Sequence, residues 1–67
     1  MTIEEARKLT ALLSKFYVWQ MNDGRWHSSP LTNARDVPIS YLNIPGHETQ
    51  AEARIALVRW ATAWAGR

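Results

Sequence analysis

Few side chains in this sequence are of a type and spacing that could do chemistry. His27 could act as a general base, but no nucleophile stands at a suitable spacing, so a half-exposed strand histidine is the favoured interpretation. His47 and Glu48 precede a predicted helix and could bind an anion there, although ordinary loop residues explain them better. With no cysteine and only two histidines, the sequence predicts no metal site and no cofactor. We therefore expect a protein that is not an enzyme.

The four tryptophans are the most informative residues of the 67-residue chain. Trp19 and Trp26 flank a predicted turn, and Trp60 and Trp64 lie one helical turn apart. Large aromatic side chains dominate protein cores and binding interfaces alike. A domain this small needs large apolar side chains to fold at all, so each tryptophan is as well explained by core packing as by partner contact.

Length and charge limit the class of protein. The chain has room for one domain, over residues 1–67. Eight Lys and Arg against six Asp and Glu give a net charge of +2, and the basic residues are scattered rather than concentrated on one face as in a dedicated nucleic-acid-binding protein. Glu4 and Glu5 near the start argue against a signal peptide, and the apolar stretch from Ile55 to Ala65 is too short to cross a bilayer. We expect a soluble cytoplasmic protein with no membrane contact.

Two capping boxes predict two helices. Thr2 is followed three residues later by a glutamate, and apolar residues then recur at helical spacing, which predicts a helix from about Ile3 to Ser14. Thr49 begins the same pattern and predicts a second helix from about Gln50 to Ala65, with Gly66 as its C-terminal stop. The second helix has apolar residues over most of its circumference, so we expect part of its surface to need a further cover.

Between the helices, the sequence predicts three strands. The aromatic and β-branched run from Phe16 to Met21 suits a strand, and Asp23-Gly24 favours a two-residue type I′ hairpin turn. Such a turn places Met21 opposite Trp26. A third strand is predicted over Ile39–Ile44. The expected fold is therefore an α+β domain of order α-β-β-β-α, with a three-stranded antiparallel sheet and two helices packed on one face.

The choice of buried sheet face decides where a partner would bind. With the predicted turn, one face carries Tyr17, Trp19, Met21 and Trp26, and we expect this more apolar face to form the core. The second helix would then supply the exposed binding site. The opposite choice would leave an aromatic platform outside, which is the kind of surface that single-stranded nucleic acid stacks on.

The α-β-β-β-α order and the alanine-rich last helix, with Ala51, Ala53, Ala56 and Ala61, resemble the double-stranded-RNA-binding domain. That family has a lysine cluster at the start of its last helix, where this chain has residues 48–54, ETQAEAR. It also has a histidine-bearing loop where this chain has Asn22-Asp23-Gly24. The resemblance thus implies the shape without the RNA-binding activity. In its small size and lack of an active site, the chain also resembles accessory proteins of phages and mobile elements, including anti-CRISPR-type inhibitors.

The sequence as a whole predicts a small protein-binding module that acts stoichiometrically, for example as an inhibitor or regulator of a host protein complex. Aromatic and arginine side chains, which are enriched in binding hot spots, are the candidate partner-binding residues. They are Trp60, Trp64, Arg59, Arg67, Trp19, Trp26 and Arg25. A second copy of the chain is one partner that the apolar second helix could bind. The alternative is a nucleic-acid-binding module that uses Trp19, Trp26, Arg25 and His27 on an open sheet face.

Overall fold

Two α-helices, a β-hairpin and one 3₁₀ helix make up the part of the chain that the computed structural model describes, residues 1–31 and 37–66. In chain order they are α1 (Ile3–Leu13), β1 (Phe16–Gln20), β2 (Trp26–Pro30), the 3₁₀ helix (Ile39–Asn43) and α2 (Gln50–Ala65). The α+β class is confirmed. The predicted three-stranded sheet is wrong, because the sheet within these described residues has two strands, β1 and β2.

Both predicted N-caps are present. The Thr2 side chain accepts a hydrogen bond of 3.1 Å from the Glu5 amide, and the Thr49 side chain accepts one of 3.1 Å from the Glu52 amide. Each bond satisfies an amide that the first helical turn leaves free. The bounds of α2 match the prediction and α1 ends one residue early. Gly66 caps α2 with a φ of −82°, so this helix ends without a left-handed residue.

The hairpin has a different turn from the predicted one, and its register differs by one residue. Gln20 pairs with Trp26 and Trp19 with His27, whereas the type I′ turn had placed Met21 opposite Trp26. Among the described residues Gly24 alone has a positive φ, of 79°. A type I′ turn needs two such residues, while a three-residue loop with one left-handed glycine needs one. This single added loop residue moves every β2 side chain to the opposite face.

The third predicted strand is wrong because residues 39–43 form a 3₁₀ helix. Its amides bond three residues back, from Tyr41 to Pro38 and from Ile44 to Tyr41. Pro38, Tyr41 and Ile44 are half-buried, so the inward side chains recur every three residues rather than every two. The edge of β2 that faces away from β1 has one pairing within the described residues, an isolated bridge between Trp26 and His47.

α2 is the element against which the hairpin and α1 both pack. Its buried residues recur every four positions and are mostly small: Ala53, Leu57, Ala61 and Ala65. Small side chains let neighbouring backbones approach closely, and Leu12 and Phe16 complete the core together with Val37. Neither of the two helices described here is long and apolar enough to cross a membrane.

Candidate functional site

The two faces of β1 differ in their exposure to solvent. Phe16 is buried and Val18 half-buried, whereas Tyr17, Trp19 and Met21 are 41%, 38% and 40% exposed. The face that we had expected to form the core is therefore the exposed one. We call it the outer face; by the observed register it carries six side chains, those of Tyr17, Trp19, Met21, Arg25, His27 and Ser29.

Aromatic packing on the inner side explains this choice of face. The Phe16 ring lies edge-on to Tyr41 at 5.5 Å and to Trp60 at 5.4 Å between centroids. Edge-to-face contacts at these distances are favourable for aromatic rings. Trp26, predicted to share a face with Trp19, lies opposite Gln20 on the inner face and is half-buried. The expected aromatic face is thus divided between the two sides of the hairpin.

On the outer face, Trp19 is held in place by Ser29 of the neighbouring strand, the residue that pairs with Tyr17 in the ladder. The indole Nε1–H donates a hydrogen bond of 2.8 Å to Ser29 Oγ on β2. The Tyr17 ring lies beside it, with a centroid distance of 6.2 Å and an angle of 37° between the ring planes. Since the indole is already fixed, little of its side-chain entropy remains to be lost when a partner covers it.

Polar groups at the turn form the rim of the outer face. Asp23 Oδ1 accepts a hydrogen bond of 2.8 Å from the Arg25 amide, and Asp23 Oδ2 lies 3.1 Å from His27 Nε2. The Arg25 amide and then His27 lower the pKa of Asp23, because both favour the charged carboxylate. Arg25 Nη1 also donates a bond of 2.8 Å to the Gly46 carbonyl, which ties the turn to the segment before α2.

His27 lies directly against Gly46. A Cβ atom added at Gly46 would come within 2.5 Å of His27 Cε1. Only glycine leaves room for the imidazole at this position, so the ring is held between Gly46 and Asp23. We interpret the contact between His27 and Asp23 as one that stabilises the turn.

The predicted residues of α2 lie elsewhere, away from the outer face. Trp60 and Trp64 are half-buried and pack against the core, and the Trp60 indole donates a bond of 2.9 Å to Ser40 Oγ of the 3₁₀ helix. Arg59 is exposed at a shallow depression of about 370 Å³ that Ile55 also lines. Arg67 lies outside the described residues. The structure thus brings Trp19 and Arg25 together and separates them from Trp60, Trp64 and Arg59.

Sequence reasoning missed two residues of the outer face as binding candidates, Tyr17 and Met21. Together with Trp19 they occupy every second position from 17 to 21, and all three were assigned to the core. The period-two pattern therefore identified residues that share a face, but it did not show whether that face is buried or exposed. Ile39 and Leu42 were also missed and are 77% and 64% exposed. Residues three apart on a 3₁₀ helix lie on one side, so these two form a separate, smaller apolar surface.

Within residues 1–31 and 37–66, no group of three His, Cys, Asp or Glu side chains could hold a metal ion. No protein-family model, curated protein or solved structure matches this chain. Its function is therefore inferred from the geometry of the outer face.

Proposed function

We propose that this chain is a non-enzymatic module that binds a protein partner stoichiometrically through the outer face of its hairpin. The observation that carries the proposal is the exposure of Tyr17, Trp19 and Met21 side by side on a sheet whose other face packs against α2. Contiguous exposed apolar side chains typically mark an interaction site. Tyrosine, tryptophan and methionine are also residue types enriched at protein interfaces.

The composition of this surface favours a protein partner. Its apolar centre has a polar rim made of Arg25, Asp23 and His27, and this is the common arrangement of protein–protein interfaces. The polar groups of the rim are already partnered within the chain, because Asp23 contacts the Arg25 amide and the His27 ring while the Arg25 guanidinium donates to Gly46. A small regulator or inhibitor that covers a surface of a larger host complex would suit such a module. As part of the proposal we place it in the cytoplasm, since a chain without cysteine needs no oxidising compartment.

A nucleic-acid-binding module is the second candidate, and one observation favours it. Trp19, Arg25 and His27 do lie together on an open sheet face, as that hypothesis requires. Trp26 does not join them, and Arg25 is already bonded to the Gly46 carbonyl. Single-stranded nucleic acid needs cations along its backbone as well as rings for its bases. The outer face therefore fits a protein better.

The test uses the purified full chain as bait, followed by measurement of the affinity for whatever protein it captures. Trp19→Ala should weaken binding by roughly 30-fold or more, the effect expected for a central hot-spot residue. Leu42→Ala removes an apolar side chain that is more exposed than Trp19 (64% against 38%) and lies on a different surface, and it serves as the control. Circular dichroism should show both variants folded. Equal losses for the two variants, or a loss for Leu42→Ala alone, would remove the outer face as the site.

A salt titration separates the two candidates. Binding to a labelled oligo(dT) probe through phosphate contacts would fall steeply with ionic strength, whereas an apolar protein interface barely responds. We expect no measurable oligo(dT) affinity at physiological salt. Tight, salt-sensitive binding that Trp19→Ala abolishes would instead establish the nucleic-acid function.

A further inference from the structure

The outer edge of β1 has unpaired backbone groups. The Met21 amide bonds to Arg25 and the Leu31 amide to Lys15, so the odd-numbered residues of this segment point their backbone groups toward β2. In an antiparallel ladder the alternate residues point away. The N–H and C=O groups of Phe16, Val18 and Gln20 therefore face the free edge. No hydrogen bond among the described residues uses them.

The corresponding edge of β2 is partly protected. Trp26 exchanges two backbone bonds with His47, of 2.8 and 3.0 Å. At the other end of β2, Pro30 has no N–H to offer. Proteins commonly protect a sheet edge in these ways, by covering it or placing a proline in it. Among the described residues, Ser28 is the one outward position of β2 that is neither paired nor a proline, whereas all three outward positions of β1 are unpaired. The β1 edge therefore offers the longer run of groups for pairing.

Nothing in the sequence of β1 protects its edge. The strand reads FYVWQ and contains no charge, proline or glycine. A groove of about 480 Å³ runs beside it toward α2, where Leu57 and Val58 form part of an apolar lining. Arg54 is the one charged side chain of that lining, and it is exposed. An added strand would therefore find free hydrogen-bonding groups and apolar surface together.

We propose that this edge pairs with β1 of a second copy of the chain, antiparallel and about a two-fold axis at Val18. In this register Val18 faces Val18 of the other copy, and Phe16 faces Gln20. All three outward residues then exchange hydrogen bonds. Tyr17 of each copy lies opposite Trp19 of the other, at the non-hydrogen-bonded positions where side chains are closest. In this register each of the five strand residues has a residue of the other copy directly opposite it.

The dimer would join the two hairpins into one sheet of order β2-β1-β1-β2. Both outer faces would lie on the same side of that sheet, because a two-fold axis perpendicular to it preserves the face. The aromatic surface of the proposed function would be doubled. The two β1 edges would also be paired with each other. The outermost strands of the new sheet would both be β2, whose edge His47 and Pro30 partly protect.

Amide hydrogen exchange measured by NMR tests this pairing residue by residue. The Tyr17 and Trp19 amides should be protected at every protein concentration, because they bond to β2 within one chain. The Val18 and Gln20 amides should exchange fast in dilute protein and slowly at high concentration. Sedimentation equilibrium should show a monomer–dimer equilibrium over the same range.

Gln20→Pro is the variant that targets the edge, and Gln20→Ala is its matched control. Proline removes an outward N–H and leaves the β1–β2 ladder intact, while alanine removes only the side-chain bond to the Gly24 carbonyl. Gln20→Pro should weaken dimerisation by roughly tenfold or more, because two inter-chain hydrogen bonds are lost per dimer. Gln20→Ala should dimerise like the parent chain.

Three results would overturn the pairing. One is a mass that stays monomeric at the concentrations used for NMR. Another is a dimer in which the Val18 and Gln20 amides exchange as fast as in the monomer. The third is a dimer that Gln20→Pro and Gln20→Ala affect equally. A strand added by another protein would protect the same amides only when that protein is present, so the purified chain distinguishes the two occupants. Failure here would leave the proposed function open, because a chain that stays monomeric can still capture a protein partner through its outer face, and that capture is measured in a separate experiment.

Discussion

The two faces of β1 show how one strand can bury one set of side chains and expose the other. Phe16 and Tyr17 are adjacent aromatic residues, yet Phe16 is buried against Tyr41 and Trp60 while Tyr17 lies in solvent beside Trp19. The difference does not arise from residue type, since both faces are aromatic. It arises because α2 and the 3₁₀ helix supply aromatic partners to the side of β1 that carries Phe16. Whether an aromatic side chain of β1 is buried or exposed therefore depends on its parity along the strand.

The largest expected effect comes from truncating each of these neighbours in turn. Phe16→Ala should cost about 3–5 kcal/mol of unfolding free energy, the usual range for a buried phenylalanine. A chain of 67 residues has a total stability of only roughly 3–10 kcal/mol, so this variant should lose a large share of its stability. Tyr17→Ala should cost about 0.5–1 kcal/mol because its ring is already in solvent. Urea denaturation measures both. Similar costs for the two variants would mean that the faces are not distinct.

A second test compares a buried and an exposed alanine of α2. Ala61 is fully buried and Ala63, half a turn away, is exposed. Ala61→Leu should destabilise the fold by about 1–3 kcal/mol, because added methylenes have no space between closely packed elements. Ala63→Leu should be near neutral. Thermal unfolding of the two variants measures the difference, and a tolerated leucine at position 61 would contradict the close packing of α2.

The rim of the outer face gives a smaller effect. Gly46→Ala should destabilise the protein by about 1 kcal/mol, because the new Cβ would meet the His27 ring. The cost should fall in a His27→Ala background, where that ring is absent. A double-mutant cycle by chemical denaturation measures this coupling. Strictly additive costs would show that Gly46 is required for some other reason.

The smallest effect is on pH dependence at the turn. The pKa of Asp23 is lowered from 3.8, so its carboxylate stabilises the folded state above that pH and the stabilisation is lost as pH falls through the folded pKa. Asp23→Asn should make stability less sensitive to acid in this range. An NMR titration should place the Asp23 pKa below 3.8, and His27→Ala should raise it only in part, since the Arg25 amide is the larger cause. A pKa at or above 3.8 in the parent chain would contradict the geometry of the turn.

Local interactions account for what could be predicted of the fold. Each helix begins where a threonine can cap its first turn, and that bond involves residues three apart in the chain. The position of the hairpin was equally predictable from the aromatic run and Asp23-Gly24. Its register was not, because a two-residue and a three-residue loop suit nearly the same sequence. The difference depends on whether Asp23 also takes a positive φ, and here its side chain bonds to the Arg25 amide instead.

The two helices, the hairpin and the alternation that groups Tyr17 with Trp19 and Met21 all follow from local sequence patterns. Which of the two groups on β1 forms the core depends on tertiary packing. That choice depends on Trp60 and Tyr41, which are far from Phe16 in sequence and meet it only after α2 and the 3₁₀ helix have packed. The alternation of side chains defines two faces of a strand but does not show which face is buried, because burial depends on the other elements that pack against each face.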